Sequence, residues 1–115
     1  MTEQFITYID QSVAGLLQEE KRLAASDRKD ESNLVKIRIN VYGICKSIYG
    51  VFSSRKENNR WKADYLQKLE NMEQSWQSSY TKAKEHDDVK KAVIEEIKLQ
   101  TLKEVKNQFI MTEGN

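Results

Sequence analysis

The sequence predicts an all-α fold, an antiparallel up-and-down four-helix bundle with residues 1–115 as one domain. Three observations predict it. There is no proline, and only Gly15, Gly43, Gly50 and Gly114 interrupt 115 residues, so long helices are the default. Apolar residues recur at spacings of three and four along separate stretches of the chain. Between those stretches lie short polar segments that suit antiparallel connections. The expected helices are 3–25, 33–54, 59–84 and 88–110. The alternative architecture is a spectrin-like array of three helices, with one long C-terminal helix running through residues 84–88.

In the first helix Ile6, Ile9, Val13, Leu16 and Leu23 form the stripe, with Phe5 and Leu17 beside it. Thr2 is placed to cap it and Glu3 to favour its positive end. Gly15 and Tyr8 fall off the stripe, Tyr8 toward solvent. Residues 26–32, SDRKDES, read as the first connection, with Asp30 or Ser32 capping the next helix.

The second helix is the most apolar stretch. With about 100° per residue, Leu34, Ile37, Val41, Ile44, Cys45, Ile48, Val51 and Phe52 fall on one side, and Tyr42 and Tyr49 on its edge. That arc covers about half the circumference, wider than the ~100° stripe of a surface helix, so this helix should be central. A strand is the rival reading, because Val35, Ile37, Ile39 and Val41 alternate with Lys36, Arg38 and Asn40. No other segment alternates over such a length to pair with it. Gly43 and Gly50 share a face opposite the arc, beside Ile39, Lys46 and Ser47. An interior glycine costs a helix about 1 kcal/mol relative to alanine. Two on one face point to a seam where another backbone lies close.

Trp61, Tyr65, Leu69, Met72, Trp76, Tyr80 and Ala83 make the stripe of the third helix, which starts at Asn58 or Asn59. Continued in phase, this stripe meets Asp87, Lys90, Thr101 and Gln108, so a break near 84–88 is expected, with Asp88 capping a new helix. In the fourth helix Val89, Val93, Ile94 and Ile97 face one way, and Leu99, Leu102, Val105, Phe109 and Ile110 nearly the opposite way. The second set is expected to meet something other than the first does, most simply a second copy of the chain. Residues 111–115 are expected to fray.

Chemistry has few footholds. Zinc of the usual kind takes several Cys and His, and this chain has one of each, Cys45 and His86. Two-iron bundles need Glu-x-x-His pairs, and none occurs. Glu19–Glu20, Asp87–Asp88 and Glu95–Glu96 are adjacent acids that point to different helix sides, unlike an acid–base couple. No glycine-rich loop precedes a helix. No catalytic residue, cofactor or metal is therefore expected. No run of 18 apolar residues exists to span a membrane, and the N-terminus lacks the basic and apolar regions of a signal peptide. A cytoplasmic location is expected, although leaderless secretion would leave the same sequence.

The net charge of +1 hides a segregation, since residues 32–60 carry six basic and one acidic side chain. Three functional expectations follow. The first is a non-enzymatic protein acting in protein–protein interaction, self-associating as a homodimer or binding another helical protein. Its surfaces would be the Ile39, Gly43, Gly50 seam and the apolar face of Leu99, Leu102, Val105 and Phe109. The second is a nucleic-acid or anion binder using Lys46, Arg55, Lys56 and Arg60 near Trp61. The third is a leaderless secreted partner protein.

Overall fold

The computed structural model of the chain describes residues 3–55 and 59–113. It is an all-α four-helix bundle, with α1 Glu3–Ala25, α2 Lys29–Ser53, α3 Trp61–Glu85 and α4 Val89–Glu113. The strand reading of 35–41 is thereby excluded, and so is the single long C-terminal helix. Thr2, Lys56 and Asn58 lie outside the described residues.

Two tight turns make two helical hairpins, α1 with α2 and α3 with α4. Each helix before the turn ends on an aspartate in the left-handed region, Asp27 at φ 60° and Asp87 at φ 56°. Aspartate adopts that conformation more readily than most residues because a short polar side chain can hydrogen-bond to the nearby backbone. The following amide reaches five residues back. Arg28 N–H donates to the Leu23 carbonyl at 2.9 Å, and Asp88 N–H to the Ala83 carbonyl at 2.8 Å. Asp27 and Asp87 N–H close the inner bonds to Ala24 and Lys84 at 3.2 Å each. This double closure satisfies carbonyls that a helix end leaves bare.

The turns are shorter than the sequence suggests, so α2 begins four residues before the expected 33. Neither Asp30 nor Ser32 caps it. Arg28 holds the cap position without a side-chain bond, and Asp30 and Glu31 sit in the first turn, where acids favour the helix N-terminus. Ser32 is buried instead, its hydroxyl 3.3 Å from Glu20 Oε2. Asp88 does cap α4, its Oδ1 accepting from Lys91 N–H at 3.1 Å. At the far end α4 continues through 111–113 rather than fraying, because the Glu113 carboxylate is buried and accepts the Tyr49 hydroxyl at 2.9 Å.

The core lies toward the end where α1 and α3 start and α2 and α4 finish. Phe5, Tyr49, Tyr65 and Phe109 meet there, with ring centroids 4.9 Å apart for Tyr65 and Phe109 and 5.1 Å for Phe5 and Tyr49. Tyr65 also donates its hydroxyl to the Cys45 carbonyl at 2.8 Å. Tyr8 is not a solvent-side residue. It packs edge-on against Tyr42, with the two hydroxyls 3.3 Å apart.

The two hairpins repeat each other at an offset of sixty residues. Asp27 and Asp87 stand sixty apart, and so do the starts and ends of α2 and α4. Burial follows the same offset: Phe5 with Tyr65, Ile9 with Leu69, Leu23 with Ala83, Tyr42 with Leu102, Cys45 with Val105 and Tyr49 with Phe109 are all buried. Between hairpins, the backbones of α2 and α4, α2 and α3, and α1 and α4 pack closely, while α1 and α3 stay apart as backbones among the described residues and meet only through side chains such as Phe5 and Tyr65. Exchanging the hairpins maps this set of contacts onto itself, as a pseudo-two-fold axis between α2 and α4 requires.

Candidate interaction surfaces

The buried side of α2 is Ser32, Val35, Val41, Tyr42, Cys45 and Tyr49. This side is rotated from the expected arc, because the two tyrosines take the centre of the interface with α1, α3 and α4. The rotation carries two arc residues out to the surface, where Ile44 is 42% and Val51 53% exposed. They join Gly43, Ser47 and Gly50 on the outward face. A Cβ added at Gly43 or Gly50 would meet nothing within 4 Å, so neither glycine is required by a contact inside the chain. Ile39, the third member of the expected seam, is half-buried.

The internal repeat supplies a comparison for this face. At the positions matching Gly43, Ile44 and Ser47, α4 carries Lys103, Glu104 and Asn107, an ordinary solvated surface. Only at its last two turns does α4 place apolar Ile110 and Met111 where α2 has Gly50 and Val51.

The second expected face is corrected. Leu99, Leu102, Val105 and Phe109 are buried within the chain's own bundle and offer nothing to another protein. The change of apolar side along α4 is real, but most of the second set is core, with Ile110 exposed, and the first set is left partly uncovered. Val89 is 72% and Val93 38% exposed. Val93 and Ile94, with Lys90, form one side of a groove whose other side is Asp30, Asn33, Leu34 and Ile37 of α2.

Of the basic set, Lys46, Arg55 and Arg60 lie among the described residues, each in its own surroundings. The Lys46 ammonium is 2.8 Å from Asp10 of α1, a tie within the first hairpin. Arg55 lies past the end of α2 with its guanidinium 5.0 Å from the Phe52 ring centre. Arg60 stands at the cap of α3, and Lys56 lies outside the described residues.

Cys45 is buried, and burial pushes its thiol up to about 12, away from nucleophilic use. His86 is in the turn before α4, its Nδ1 2.7 Å from the Lys82 carbonyl oxygen. Among the described residues no three of His, Cys, Asp or Glu converge to hold a metal ion. No described helix is long and apolar enough to cross a membrane. No family model, curated protein or solved structure matches the chain.

The sequence reading missed Ile44 and Val51 as surface residues, and it missed the groove. The signal for the groove was present in the switch of apolar side between Ile97 and Leu99. The half that the core would take was assigned the wrong way round.

Proposed function

We propose that the chain is a non-enzymatic helical protein that works by contact with other proteins, self-associates, and offers the outward face of α2 to a further helix. One observation carries this reading. Gly43, Ile44, Ser47, Gly50 and Val51 give α2 small and apolar residues at outward positions, three of which α4 fills with Lys, Glu and Asn. Small residues let a second backbone approach closely, and exposed aliphatic side chains beside them gain from being covered.

The test is the solution mass of the full chain by light scattering. A mass near twice the monomer's 13.5 kDa is expected at tens of micromolar. A sharp 13.5 kDa species would overturn the self-association. Gly43→Leu separately probes α2. Open space around Gly43 means the fold should tolerate it, while any association made through that face should weaken.

A further inference from the structure

The groove between the first turns of α2 and α4 lies where the two hairpins present equivalent residues. Leu34 and Ile94 face it from positions sixty apart, and its rims are the equivalent residues Asp30 and Lys90. The apolar walls are therefore alike on both sides, but the rim charges are opposite. Neither Asp30 nor Lys90 enters an ion pair among the described residues, whereas neighbouring Glu31 is held by Arg28. Val89 and Val93 add exposed aliphatic surface to the basic side.

This arrangement selects its occupant. A strongly acidic partner would be repelled at Asp30, and a strongly basic one at Lys90. A surface with an apolar centre, an acid on one side and a base on the other is complementary to itself. A second copy is turned by 180° about an axis across the groove mouth, perpendicular to the line from Asp30 to Lys90. Its Lys90 then lies over Asp30, its Asp30 over Lys90, and the aliphatic walls face each other. Both ion pairs form at once, as an isologous contact demands.

We propose that a second copy of this chain docks on the Leu34, Ile37, Val93, Ile94 groove, with Asp30 and Lys90 pairing reciprocally across the interface. This rests on the self-association proposed above and gives it a surface. The outward face of α2 is then left for a different helical protein.

The experiment is light scattering of the full chain and of Asp30→Lys, Lys90→Asp and the double exchange, with circular dichroism to establish that each is folded. Each single reversal places like charges together twice per dimer, so the dissociation constant should rise about tenfold or more. The double exchange should return it to near the wild-type value. Asp30→Asn and Lys90→Gln, which remove charge without reversing it, should weaken the dimer less, and they stand in if a reversal unfolds the chain. A wild-type dimer indifferent to all these changes would overturn the groove assignment and leave self-association standing, and dissociation by Gly43→Leu would then move the contact to α2. Single reversals that dissociate the dimer without rescue by the double exchange would overturn the reciprocal pairing. A monomeric wild type would overturn both proposals.

Discussion

Cys45 shows how far one residue's chemistry follows from its place. The sequence put it on an apolar arc as a small hydrophobe, and the structure buries it at the position where the other hairpin has Val105. Its thiol should resist modification in the folded chain and react fully in denaturant, which a thiol-reactive chromophore measures. Burial also sets a pH dependence. Below about pH 8.5 the thiol is protonated in both states and contributes nothing. Above that the unfolded chain loses its proton first, so stability should fall with rising pH until the folded value of about 12. Tyr65, raised by burial and by nearby Cys45, Tyr49 and Glu113, adds to the fall from about pH 10. Cys45→Val should remove the part that begins near pH 8.5, seen as a shallower alkaline decline in denaturant midpoint. Leu102 is a sharper residue-scale test of the corrected core. Leu102→Ala should cost about 2–5 kcal/mol in chemical unfolding. A surface leucine would give a change within about 0.5 kcal/mol.

At the scale of elements, helix existence was legible and helix phase was not. Four amphipathic stretches separated by polar residues sufficed to place α1 and α3 within about two residues. The α2 start was misplaced because nothing in SDRKDES announces that Asp27 alone makes the turn. A left-handed aspartate is a rarer solution than the glycine usually found at that position. The α2 buried side was misjudged because a wide apolar arc does not say which part of it faces inward. Tyr42 and Tyr49 win the centre by bringing large rings to the aromatic core and a hydroxyl to Glu113, and Ile44 and Val51 are displaced. The turns carry their own prediction. A β-branched residue in the left-handed conformation is strained, so Asp27→Val and Asp87→Val should each lower stability by about 1–2 kcal/mol. The two should be alike, because both turns share one geometry. Unequal losses in denaturant unfolding would mean that one aspartate has a role beyond the backbone.

At the scale of the whole molecule, the internal repeat was the least legible feature. Only Asp27/Asp87, Ile37/Ile97 and Lys46/Lys106 are identical at the offset of sixty. What repeats is burial and turn geometry, which many residue types satisfy, so Tyr49 and Phe109, or Cys45 and Val105, do the same work without matching letter for letter. The same repeat makes the asymmetries informative. Both hairpins bury equivalent positions, yet they differ in charge at the groove rim and in composition on the outward faces of α2 and α4. Such differences at surface positions of one repeated scaffold are where contact with other chains would be written. The most direct test is the light-scattering mass of the purified full chain at tens of micromolar. A mass near twice 13.5 kDa that falls toward the monomer with Asp30→Lys and returns with the added Lys90→Asp is the predicted result. A wild-type mass of 13.5 kDa at every concentration would contradict it.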